Sequence, residues 1–217
     1  MEFIYAIVGF FQKGGLFMYP ILLVFSVGMA IAIERWIQLS RTRNQNRKMW
    51  IKLQPILVEG EFEQAREIVD QDKSTISRML AMGLARQGAV RRREDIEIAM
   101  EESMMEIIPQ LEKRTPYVAL LSNIATLLGL LGTIMGLIQA FTAVANANPA
   151  EKADLLSASI SVAMNTTAFG LMAAIPLILI HAKLTSTTGQ IVDSLEMASV
   201  KALNSISFFT KRQNSTS

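Results

Sequence analysis

The sequence predicts an all-α integral membrane protein with three transmembrane helices and long cytoplasmic helical extensions. Two uncharged runs carry that prediction: 36 residues from Thr115 to Ala150 and 28 from Leu155 to Ala182 contain no Asp, Glu, Lys or Arg. Each exceeds the ~20 residues that a helix rising ~1.5 Å per residue needs to cross a bilayer. A third uncharged run, 20 residues from Gly14 to Ile33, is just long enough. Charge is segregated rather than scarce: most charged side chains fall between Glu34 and Arg114, while the net charge is only +2. There is no cysteine, which excludes a disulfide framework and a thiolate metal site.

Taken in order, residues 1–13 place Phe3, Ile4, Ile7, Val8 and Phe11 on one helical face, too short a stretch to span. They read as an interfacial amphipathic helix on the outer side, ended by Gly14 and Gly15. Residues 14–36 form the first transmembrane helix. No basic segment precedes it and no small-residue cleavage site leads into a polar mature chain, so it reads as a retained span, not a signal peptide. Arg35, Arg41, Arg43, Arg47 and Lys48 follow it, Lys113 and Arg114 precede the second span, and Lys183, Lys211 and Arg212 follow the third. The loop between the second and third offers only Lys152. Basic residues stay on the cytoplasmic side, so the amino terminus is expected outside and the carboxyl terminus in the cytoplasm.

Residues 37–114 read as a cytoplasmic helical domain, with apolar residues at helical spacing (Phe62, Ala65, Ile68, Val69, then Ile76, Met79, Leu80) among nearly balanced charge. The triple arginine Arg91 to Arg93 is a basic turn beside acidic residues with no interleaved aromatics, which argues against nucleic acid as a partner. From Glu94 a helix is expected to run continuously into the second span, with Pro109 and Pro116 as candidate kinks. The second transmembrane helix takes 115–145, an outer loop 146–155 and the third transmembrane helix 156–182. Residues 183–217 read as an amphipathic cytoplasmic helix with a polar, disordered tail, "TKRQNSTS".

Candidate functional residues lie in the last two spans. Ser122, Thr126, Gly129, Thr133, Gly136 and Ala140 recur at steps of four and three, one continuous face of small and hydroxyl side chains. Ala163, Thr167, Gly170 and Ala174 repeat the pattern in the third span, with Asn165 and Thr166 beside it. Close helix packing accounts for the glycines and alanines, Gly132 included, because small residues let membrane helices approach. It accounts less well for Thr133, Thr167 and Asn165, since alanine would serve packing without placing polar groups in hydrocarbon. The functional alternative is that such faces, repeated around a homo-oligomer, line a narrow polar path. No Asp or Glu lies in any span, and the single histidine, His181, stands at the cytoplasmic end of the third. It reads as an interfacial imidazole, or alternatively as a proton relay. No nucleophile paired with a base and no metal-ligand cluster is present, so an enzyme is not expected.

The stretches "TPYVALLSNIATLLGLLGTIMGLIQAF" and "SISVAMNTTAFGLMAAIPLILI" resemble the two-span signature of the MotA/TolQ/ExbB proton-channel family, close to its ExbB and TolQ branch. The resemblance implies a multi-pass protein of the Gram-negative inner membrane, amino terminus periplasmic. It implies a pentamer around a central pore that holds the single helices of an ExbD- or TolR-like partner, each carrying one membrane Asp. Ion passage then drives work on a TonB- or TolA-like periplasmic effector, with no cofactor beyond the transported ion. Thr133 and Thr167 fall on the two threonines that face the partner's Asp, and are expected to donate hydrogen bonds to its ionised form. One departure stands out: this chain reads Val162-Ala163 where these relatives carry Glu-Ala, and it has Asn165 and Thr166 where they are commonly apolar or small. The added amide and hydroxyl suit water or a cation, so sodium is the alternative to the proton. A non-conducting scaffold that gathers partner helices is the competing class.

Overall fold

A computed structural model describes residues 15–87 and 93–216 of the chain. The interfacial helix expected over 1–13 and two of the three arginines, Arg91 and Arg92, lie outside the described residues. Six helices are described: α1 (Met18–Glu59), α2 (Phe62–Gln71), α3 (Thr75–Arg86), α4 (Arg93–Glu112), α5 (Thr115–Ala145) and α6 (Lys152–Thr216). Among the described residues three stretches are long and apolar enough to cross a membrane, within Met18–Glu59, Arg93–Ala145 and Lys152–Thr210. Helix α6 is uninterrupted over 65 residues, so the tail expected to be disordered is helical to Thr216.

The helix expected to run unbroken from Glu94 into the second span is divided. Arg114 adopts the left-handed conformation, φ 66, and α5 starts afresh with Pro116 in its first turn. A proline lacks the N–H that a continuing helix would need but fits a helix start, where that donor has no partner anyway.

The chain divides into two compact units. The apolar unit comprises residues 15–34 and 114–183. Its core gathers Ile21 of α1, Ala125 of α5, and Ala173 and Ala174 of α6, with Val24, Phe25, Leu128 and Phe169 against them. Large apolar side chains such as Leu127, Ile138 and Leu179 point outward, the arrangement expected where hydrocarbon is the solvent. One end is marked by an ion pair in which the Arg114 guanidinium donates to both carboxylate oxygens of Glu34, at 2.7 and 2.9 Å.

The charged unit comprises residues 35–87, 93–113 and 184–216. Here α1 buries Leu39, Asn46, Leu53 and Leu57 along one stripe, and α6 buries Leu184, Ile191, Leu195 and Ala198 along another. Helices α2, α3 and α4 pack in succession. Arg35, only 2% exposed, donates to the backbone carbonyl of Leu111 near the end of α4 and to Gln38 Oε1 at 2.7 Å. Asn46 is tied into α3, its amide exchanging hydrogen bonds with Thr75 Oγ1 and accepting from the Ile76 amide. The start of α3 is capped by Ser74, whose hydroxyl accepts from the Ser77 amide. Asp72 accepts from the Ser74 amide at 2.9 Å and the Ser77 hydroxyl at 2.8 Å.

Candidate functional site at the seam between α5 and α6

In the apolar unit α5 and α6 touch at backbone distance, and glycine is what allows it. A Cβ on Gly170 would stand 2.8 Å from the Ala125 carbonyl oxygen and 2.9 Å from Gly129 Cα. One on Gly129 would stand 3.2 Å from Gly170 Cα, and one on Gly136 2.7 Å from Ala163 Cβ. These are contacts to backbone or to a Cβ, which no rotamer change can relieve. The seam is therefore built from Ala125, Gly129 and Gly136 on one side and Ala163 and Gly170 on the other, at the spacing read from the sequence.

The hydroxyls flanking this seam are oriented by it. Ser122 Oγ donates across the helix pair to the Ala174 carbonyl at 2.8 Å, and Thr167 Oγ1 donates across it to the Gly129 carbonyl, also at 2.8 Å. Thr126 and Thr133 turn back into their own helix, donating to the carbonyls of Ser122 at 3.2 Å and Leu130 at 2.6 Å. A carbonyl has no proton to give, so in each of these bonds the threonine is the donor. The one hydroxyl proton of Thr133 and of Thr167 is thus already committed. What each oxygen offers a newcomer is a lone pair, unless the hydroxyl turns from its carbonyl to donate to a carboxylate, as the sequence leads one to expect.

Thr166, 2% exposed, faces Gly132 and donates to the Val162 carbonyl at 3.0 Å, so its hydroxyl is absorbed by packing. Phe17 closes the same edge, 3.4 Å from a Cβ placed on Gly132. Val162 lies against Gly15. Thr126 and Thr133, turned about 100–120° around α5 from Gly132, take the opposite edge, where Thr126 is exposed and Thr133 half-buried. Asn165 is turned about 160° around α6 from Thr167, so the two do not share a face. Half-buried, it makes no hydrogen bond among the described residues. His181 is half-buried and lies about 21 Å further along α6 than Thr167, at the other end of the span. The sequence-selected residues therefore divide into a packed seam, a threonine edge beside it, and two outliers, Asn165 and His181.

Sequence reasoning passed over the Glu34–Arg114 pair, although both residues stand at the boundaries of uncharged runs, and that position was the available signal. Among the described residues no cluster of His, Cys, Asp or Glu is arranged to hold a metal ion.

A model of the MotA/TolQ/ExbB proton channel family matches residues 71–197, from the end of α2 through α5 and into α6. The biopolymer transport protein ExbB-like 1 of Synechocystis is 30% identical over 189 residues, covering 84% of this chain and 72% of that protein. The Tol-Pal system protein TolQ of Haemophilus influenzae is 35% identical over 86 residues, covering 40% of this chain and 37% of its own. An ExbB homologue of Methanothermobacter thermautotrophicus is 26% identical over 200 residues, covering 91% and 69% respectively.

Proposed function

The chain belongs to the MotA/TolQ/ExbB proton channel family, and from that premise we propose that it is the ion-conducting subunit of a membrane motor that converts an ion-motive force into work on a periplasmic effector. It assembles as a homo-oligomer, a pentamer, around the single helices of an ExbD- or TolR-like partner, with a TonB- or TolA-like protein as the effector. The ion is the proton. The observation that carries this reading is the threonine edge: Thr133 and Thr167 present acceptor oxygens beside the seam, inside a layer whose own sequence supplies no carboxylate. A chain so built cannot relay protons alone, so the titrating group must come from another chain. An acceptor oxygen holds the neutral, protonated form of a carboxyl group, which is the form able to cross an apolar layer.

The test is ion flux in liposomes holding this protein with its cognate single-span partner. The Thr133→Val/Thr167→Val double variant keeps the side-chain shape and removes both oxygens, and its flux is expected to fall at least about tenfold, the loss of about 1.4 kcal/mol. Repeating the measurement with a sodium gradient replacing the proton gradient decides the ion. Full flux in a well-assembled double variant favours the second reading, a non-conducting scaffold. That reading draws its support from Ser122 and Thr167, whose hydroxyls fasten α5 to α6.

A further inference from the structure

The charged unit carries two exposed stripes that cannot meet within one chain. On α1, diametrically opposite the buried Leu39, Asn46 and Leu53, stand Ile37, Arg41, Asn44, Lys48 and Ile51. All five are exposed, Ile37 at 57% and Ile51 at 63%. On α4, opposite the buried Ile96, Ser103 and Ile107, stand Glu94, Ile98, Glu101, Met105 and Glu112, with Ile98 56% and Met105 73% exposed. One stripe is cationic, the other anionic, and each carries two large apolar side chains. Because each looks away from its own core, neither reaches the other in the same copy.

We propose that the stripes are two halves of one contact, the cationic stripe of one copy lying against the anionic stripe of the next. The inference rests on the homo-oligomer proposed above and names where its cytoplasmic contact lies. Copies inserted the same way in one bilayer meet only at equal depth, and the depths agree. The buried bond from Arg35 to the Leu111 carbonyl sets those two residues level. From that level, at about 1.5 Å per residue, Arg41 and Met105 both lie ~9 Å away, Lys48 ~20 Å, Glu101 ~15 Å and Ile98 ~20 Å. Ile51, at ~24 Å, falls between Ile98 and Glu94, the latter at ~26 Å. Lys48 thus stands within one helical turn of Glu101, and Ile51 within one turn of Ile98, so one charge pair and one apolar pair match in depth.

A basic stripe after a membrane span also invites anionic lipid. Lys48 and Ile51, however, lie about 18 and 23 Å along α1 beyond Trp36, the interfacial aromatic, and a headgroup layer is only about 5–8 Å deep on each side. Lipid also leaves the exposed isoleucines unexplained. The contact uses a different surface on each copy, so it is heterologous, and in the closed oligomer proposed above it runs head to tail from each copy to the next.

The chain has no cysteine, so introduced thiols are the sole targets of a short bis-maleimide cross-linker in proteoliposomes. The Ile51→Cys/Ile98→Cys double variant is expected to give a ladder extending past the dimer, while each single variant stays monomeric on a denaturing gel. Adding Lys48→Glu or Glu101→Lys to the double variant lowers the ladder about three- to tenfold, and adding both restores it to within about twofold. Dimers from a single-cysteine variant, meaning a self-complementary contact, overturn the proposal. So does a missing ladder in protein that native mass spectrometry finds oligomeric, which leaves the proposed function standing. So does a ladder that depends on anionic lipid and ignores Glu101→Lys. A monomer in the bilayer overturns both readings together.

Discussion

Thr167 and Thr133 carry the same side chain in two different bonds, and valine at each position separates their effects on stability. Thr167→Val deletes an interhelical hydrogen bond and is expected to lower the stability of the assembled apolar unit by about 0.5–1.5 kcal/mol in denaturant-micelle unfolding. Thr133→Val deletes a bond within its own turn and is expected to cost less than about 0.5 kcal/mol, although both variants reduce flux. A second residue-scale outcome concerns Asp72. Partial burial raises its pKa, but hydrogen bonds from Ser74 and Ser77 outweigh that and hold the carboxyl below its ordinary value of 3.8. A depressed native pKa contributes stability that is present above the unfolded value and fades as pH falls through the native one. Helix α3 should therefore loosen only in strong acid, and Asp72→Asn should remove that step from acid unfolding followed by hydrogen exchange. At this scale the sequence reveals residue type and spacing and withholds direction. It placed hydroxyls beside the seam, yet the carbonyl that claims each proton is decided by how closely the partner helix approaches. The azimuth of Asn165 was available from 100° per residue, but which side of α6 met α5 was not.

Among the helices, the glycines divide into those that set a distance and one that does not. Gly170→Ala puts a Cβ onto the Ala125 carbonyl and Gly129 Cα, so α5 and α6 must part, at a cost of about 1–3 kcal/mol. Gly189, within α6, has nothing within 4 Å of an added Cβ. Gly189→Ala is expected to stabilise the helix by about 0.5–1 kcal/mol, because alanine restricts the unfolded chain without meeting a neighbour. Calorimetry of the two variants in one detergent reads opposite signs. The three long apolar helices were legible because charge ends abruptly at their boundaries. The break at Arg114 was not: a left-handed non-glycine residue has no sequence signature, and its position is held by an ion pair from a helix some 80 residues away. The helical tail was not legible either, because its polar composition says nothing of the helix already running into it.

On the scale of the whole molecule, the apolar exterior and the threonine edge make conflicting demands on a single chain. Leu127, Ile138 and Leu179 suit lipid, whereas Thr126 and Thr133 on the same unit do not. Three spans cannot enclose a polar path without exposing it to hydrocarbon. Purified protein is therefore expected to be a homo-oligomer in native mass spectrometry, five copies being the expected number, and a strictly monomeric species would remove the basis for a pore. The seam also bears on the order of synthesis. Thr167 and Gly129 are 38 residues apart and joined by a short loop, so α5 and α6 can pair as a hairpin soon after both leave the ribosome. Their partner α1 enters the bilayer first, with the Gly28 notch that will receive Leu177 still vacant. The 148 residues from Arg35 to Ala182 take about 7–30 s to translate, so α1 waits alone in lipid for that interval before its hairpin arrives.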